Sequence, residues 1–166
     1  MMHSLTSLKR MEASLTREGL EYFLPKRKII RNTVSGPRLE LVPVLEYYIF
    51  VHAAHADIES FKQRGNYLAF MPDMTQKERT TLKVPDKEMD DFIRVVTLQE
   101  EKVRIYPASE IQLPPGVRIR IRGGLLDGVE GTLVKMKGLR DKRLVVSIPG
   151  VAHATVPVDK TLIQIL

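Results

Sequence analysis

Residues 113–158 read LPPGVRIRIRGGLLDGVEGTLVKMKGLRDKRLVVSIPGVAHATVPV, and few folds accept such a run. In 117–122 Val117, Ile119 and Ile121 alternate with Arg118, Arg120 and Arg122, the period-2 pattern of a half-buried strand. Gly123-Gly124 and Asp127-Gly128 then supply the positive φ that tight turns need. Further strands are predicted at 131–137, stopping at Gly138, at 143–148, stopping at Pro149-Gly150, and at 152–158. Four short strands at roughly ten-residue spacing predict a small, strongly bent β-barrel.

Charge sharpens the contrast between the two halves. The chain of 166 residues carries +6, and residues 114–166 hold nine Lys/Arg against four Asp/Glu. The remaining residues hold seventeen against sixteen and are nearly neutral. A basic C-terminal half points to a polyanionic or acidic partner, or to a solvated basic surface. There is no cysteine, which excludes disulfides, thiolate metal sites and thiol catalysis together. No apolar run reaches membrane-spanning length and MMHSLTSLKRMEASL lacks an apolar signal core, so a cytoplasmic protein is expected.

The first hundred residues alternate helical and strand patterns. Leu8, Met11 and Leu15 share one helical face over 4–19, with Gly19 placed as a C-cap. A strand is expected from 21 to about 31, and a buried central strand over 44–52, which is rich in aromatic and β-branched residues. A short helix over 55–64 and a strand over 66–73 follow. Val84-Pro85-Asp86 then opens a helix whose Met89, Phe92, Ile93 and Val96 form a core-facing stripe. Residues 101–113 read as a linker, which gives an α+β chain with domains at 1–100 and 114–166.

The C-terminal stretch resembles the KOW domain, an SH3-like β-barrel found in NusG-type transcription elongation factors and in ribosomal proteins. The resemblance lies in the PPG, the alternating basic strand, GGLLDGVEGTLV with Gly131 at the family's central glycine, and the basic turn after it. The N-terminal half is similar to the NusG N-terminal (NGN) domain, an antiparallel sheet flanked by helices, at GLEYFLP (19–25), PVLEYYIFV (43–51) and VPDKEMDDF (84–92). Together they look most like the UpxY-type antiterminators of capsular polysaccharide operons. The family opens on a strand with a Trp-Tyr pair. Here that strand is expected to be a truncated stub in MMHSL, or to precede this sequence. Leu45-Glu46-Tyr47 also stands where the family has Phe-Pro-Gly.

The resemblance implies a non-enzymatic factor that binds the clamp helices of RNA polymerase and suppresses pausing or termination. Tyr48, Phe50, Leu45 and Phe70 are the candidate polymerase-binding residues, as aromatic anchors in a desolvated groove. Lys26, Arg27, Lys28, Arg31 and Arg38 are candidates for contacts to non-template DNA or nascent RNA. Arg118, Arg120 and Arg122 form a second basic set, with Lys135, Lys137, Arg140, Lys142 and Arg143 at the turns beside it. Residues 114–166 contain no Phe, Tyr or Trp for base stacking. The KOW partner implied is a small-subunit ribosomal protein or Rho. No P-loop, nucleophile elbow or dinucleotide fingerprint is present, His52 and His55 lack a metal-binding pattern, and no cofactor is implied. The alternative is a ribosome- or RNA-associated KOW protein that does not bind polymerase.

Overall fold

The structure is a computed structural model that describes residues 5–65, 68–73 and 80–166. It is α+β, with three α-helices and antiparallel sheets among the described residues. The chain divides into two compact units, Met1–Met71 and Pro72–Leu166.

The first unit opens with α1 (Leu5–Arg17), where Leu8 and Leu15 are buried on the expected face. Gly19, at φ 70°, ends it: its N–H donates to Thr16 O (3.1 Å) and that of Leu20 to Leu15 O (3.0 Å). The strand expected from 21 to 31 is broken in two. Pro25 has no N–H to give a ladder, so β1 (Glu21–Phe23) ends before it and β2 (Lys26–Thr33) starts after it. β2 turns back into β3 (Gly36–Pro43), which the sequence pattern did not predict. The strand expected over 44–52 shrinks to β4 (Phe50–His52), which pairs with β1 in a two-stranded sheet. Residues 44–47 bend instead, and β4 is half-buried to exposed rather than a buried centre. Helix α2 (His55–Gln63) follows, with Phe61 buried. Of the strand expected over 66–73, residues 66–67 lie outside the described residues and the rest holds one isolated bridge, Pro72 to Thr81. Residues 1–4 of the expected N-terminal stub also lie outside, and Leu5 begins α1.

The second unit contains α3 (Asp86–Leu98), β5 (Arg104–Pro107), β6 (Val117–Ile121), β7 (Glu130–Val134), β8 (Arg143–Ile148), β9 (Ala152–Pro157) and β10 (Ile163–Ile165). These strands form one antiparallel sheet in the order β10-β6-β7-β8-β9-β5. The four strands read from the sequence are all here. The expected small, bent barrel does not close among the described residues: β10 and β5 are edges that do not pair with each other. β10 was not anticipated, and β5 was read only as a short extended segment of the linker. Arg104–Pro107 falls inside the expected linker 101–113, yet it pairs along β9 from Arg104 with Thr155 to Pro107 with Ala152.

Helix α3 packs on β8 and β9 and is grouped with this unit. Its Phe92, Val95 and Val96 are buried, and its hydrogen bonds go to the β6–β7 connection. Asp91 is buried, accepts the Glu130 N–H (3.1 Å) and is ion-paired with Lys87. Lys87 also donates to Gly128 O (3.2 Å), and Arg94 to Leu125 O (3.2 Å). Capture of two backbone carbonyls and one backbone N–H by helix side chains fixes the helix in register with the sheet.

Gly131 lies in β7 just before its pairing with β8 begins at Thr132 and Val145. A Cβ added there would lie 2.4 Å from Val145 O and 2.7 Å from Leu144 Cδ1, so the close approach of the strands requires glycine. Its φ is not positive, so the requirement is steric room rather than backbone conformation. Substituting Gly131→Ala is expected to destabilise the second unit by about 1–3 kcal/mol through overpacking, read as a lower midpoint in urea. An unchanged midpoint would show that β7 and β8 do not meet this closely.

Candidate nucleic-acid and partner interfaces

Five of the expected nucleic-acid residues come together on the β2–β3 ribbon. Its register pairs Lys26 with Pro43, Arg27 with Val42, Lys28 with Leu41, Ile29 with Glu40, Ile30 with Leu39 and Arg31 with Arg38. Because cross-strand partners share a face and successive residues alternate, Arg27, Arg31 and Arg38 lie on one face and Lys26 and Lys28 on the other. Arg27, Lys28, Arg31 and Arg38 are exposed. Arg31 and Arg38 are like charges directly opposite each other, and Glu40, 2.8 Å from Arg31, offsets their repulsion. Lys9 of α1 lies 3.7 Å from Glu40, and Lys26 donates to Glu12 of the same helix at 2.7 Å. The ribbon is thus tied to α1 at its base and leaves guanidinium groups outward, a geometry suited to phosphate contacts.

The four expected polymerase-binding residues do not form one surface. Leu45 is 1 % exposed and belongs to the packed interior. Phe50 is half-buried and stacks on Phe23 at 6.5 Å between ring centroids. Phe70 is held between the His55 ring, at 4.9 Å, and the Lys62 ammonium, 4.3 Å from its centroid. Tyr48 is half-buried, whereas Tyr47, which the sequence reading did not select, is 55 % exposed. The bend over 44–47 explains the difference, since it removes the strict alternation that would have turned Tyr47 inward and Leu45 with it.

The basic set of the second unit is largely answered from within. Glu130 lies directly opposite Arg120 and accepts from its Nε (2.9 Å) and Nη2 (2.5 Å), while Arg118 Nη2 lies 3.4 Å away. The hydrogen bond from Arg120 holds the Glu130 carboxyl below the usual carboxylate range, with the charges of Arg120, Lys87 and Arg118 adding to it. Arg122 donates to Gln164 Oε1 of β10 (2.6 Å). Arg143, read from the sequence as part of an exposed basic turn, is 7 % exposed. It donates to Thr155 Oγ1 (2.9 Å), Thr155 O (2.8 Å) and Lys102 O (3.0 Å), and burial lowers its pKa. Its task is to join the ends of β8, β9 and the chain entering β5. Lys135 is bonded to Arg140 O, and Lys137, Arg140 and Lys142 remain exposed.

His52 pairs with Glu21 at 2.9 Å across β1 and β4, and Ser147 with His153 at 2.8 Å across β8 and β9, where burial pushes the His153 pKa down. Among the described residues no three His, Cys, Asp or Glu are grouped to hold a metal ion, and no helix is long and apolar enough to cross a membrane. Neither a protein-family model nor a curated protein matches the chain.

Glu130 therefore acts as an internal competitor for the β6 arginines. Replacing Glu130→Gln is expected to release two positive charges and tighten binding to a uridine homopolymer. The log–log salt slope should steepen by roughly 1–1.5, the value for two extra contacts on a single strand. Because its folded pKa is lowered, the brace is complete above the ordinary carboxylate range and is lost as pH falls through the lowered value. Wild-type RNA binding should accordingly rise only below about pH 4.5. An unchanged slope in the variant would mean that these arginines do not contact the polymer.

Proposed function

We propose that this chain is a non-enzymatic transcription elongation or antitermination factor of the NusG type, similar to the UpxY-type factors of polysaccharide operons. It binds RNA polymerase through its first unit and suppresses pausing or termination in the cytoplasm. The observation that supports this reading best is the contrast between the two basic sets. The first unit offers Arg27 and Arg38 on an exposed ribbon, with Arg31 beside them paired to Glu40, whereas Arg120 and Arg143 of the second are engaged internally. Polyanion contact therefore belongs to the first unit, as expected of a polymerase-bound factor touching non-template DNA or nascent RNA. The same contrast disfavours an RNA-associated KOW protein, whose second unit would need those arginines free.

In this reading the second unit is a KOW-like module, supported by the tight seat of Gly131 at the position of the family's central glycine. Its exposed side chains are offered to a second factor, a small-subunit ribosomal protein or Rho. The helix assigned by resemblance to the NGN half, α3, is carried by this unit. Tyr48 and Phe50 remain the anchors for polymerase, joined by the exposed Tyr47, while Leu45 supports them from within.

The test is capture of core RNA polymerase by the full chain. Wild type is expected to retain polymerase at moderate salt, and Tyr48→Ala/Phe50→Ala to lose at least tenfold, with an unchanged circular dichroism spectrum. Arg27→Ala/Arg38→Ala should keep polymerase but weaken crosslinking to nucleic acid in the elongation complex. No capture by the folded wild-type chain would overturn the proposal.

A further inference from the structure

The second face of the β2–β3 ribbon does not fit a nucleic acid. The register places Lys28, Ile30, Leu39 and Leu41 together there, with Ile30 directly opposite Leu39 and Lys28 opposite Leu41. Ile30 is 73 %, Leu39 62 % and Leu41 51 % exposed, and they form one contiguous apolar strip. Both faces are tied to α1 at the base of the ribbon, through Lys26 with Glu12 and Glu40 with Lys9, but the face that carries Arg27, Ile29, Arg31, Arg38, Glu40 and Val42 is the one partly buried, at Val42, Ile29 and Glu40. The unit thus covers part of its arginine face and leaves the aliphatic one outward. That is the reverse of what burial of apolar surface favours.

Charge and backbone narrow what would cover it. Residues 26–43 hold five Lys/Arg and one Glu, so a second copy would bring two strongly basic ribbons face to face. They hold no aromatic residue on which a base could stack. β2 and β3 pair only with each other among the described residues, so each ribbon edge carries main-chain groups with no strand partner. Insertion into lipid would leave such groups unsatisfied, whereas an extended peptide would satisfy them.

We infer that the β2–β3 ribbon binds an extended peptide segment of a partner protein in which apolar and acidic residues alternate. Added along a ribbon edge, such a strand sends alternate side chains to opposite faces. Leu, Ile or Phe side chains meet Ile30, Leu39 and Leu41, and Asp or Glu side chains meet Arg27, Arg31 and Arg38. One period-2 ligand matches both faces at once, and this match requires no knowledge of the chain's role in transcription.

Selection of random twelve-residue peptides displayed on phage against the full-length chain tests this directly. The expected result is enrichment of sequences alternating apolar residues with Asp/Glu. A selected peptide, synthesised free, should bind Ile30→Thr/Leu39→Thr at least tenfold more weakly than wild type. Threonine keeps strand propensity at these exposed positions, and circular dichroism checks that the fold is retained. Binding should also weaken with Arg27→Ala/Arg38→Ala and with rising salt. The inference is overturned if no such sequences are enriched, or if selected peptides bind the Ile30/Leu39 variant equally. It is also overturned if these substitutions instead abolish a wild-type dimer in sedimentation, or binding to anionic phospholipid vesicles.

Discussion

An amphipathic helix has to bury its apolar stripe somewhere, and the choice made by α3 arranges much of this chain. Phe92, Val95 and Val96 are buried where the helix packs on β8 and β9. Polar contacts then convert apolar packing, which tolerates sliding, into one register. Asp91 takes the Glu130 N–H, and Lys87 and Arg94 take the carbonyls of Gly128 and Leu125. A buried carboxylate with two partners is costly to move, so the helix and the β6–β7 connection are bound to one arrangement. The boundary between the units consequently falls before α3, at residues 71–72.

The same connection leads into the strand pair that neutralises the second unit. Glu130, whose N–H is held by Asp91, begins β7 directly opposite Arg120, and Gly131 after it lets β7 approach β8 closely. A count of basic residues along the sequence therefore overstates what the surface offers. Arg118 and Arg120 face a carboxylate, and Arg143 closes the ends of β8 and β9 from inside. Three of the nine basic residues in 114–166 are thus spent on structure, and their positive charge is partly screened from any polyanion. In the first unit half of the ten basic residues lie on the ribbon with one acidic residue, Glu40, among them, so the ribbon is more basic than the unit as a whole.

The ribbon also shows how one strand pair can carry two chemistries. Alternation puts guanidinium groups on one side and aliphatic side chains on the other, and Glu40 and Lys9 tie the first of these to α1. A two-stranded ribbon has little stability of its own in water, so its ties to α1 matter to both faces. The aromatic candidates have a different logic: Phe50 stacks on Phe23 and Phe70 meets His55 and Lys62, while Tyr48 and Phe50 stay half-buried and Tyr47 is exposed.

What the sequence determined by itself is local. Period-2 alternation located β6, Gly and Pro stops located β7 to β9, and apolar spacing located α1, α2 and α3, because each of these signals acts within about ten residues. The α+β class followed from them. What only the tertiary structure decided is non-local: which sheet receives α3, whether the sheet closes, and which carboxylate meets which arginine. β5 and β10 are three or four residues long and become strands only because β9 and β6 offer them a ladder. Pro25 splits one predicted strand, and the bend over 44–47 shortens another, since backbone geometry there outweighs β-propensity. Of the candidate site, the ribbon's basic residues were legible in order along the chain. Their separation from its apolar face was not, because it depends on the register between β2 and a strand, β3, that the sequence pattern left unmarked.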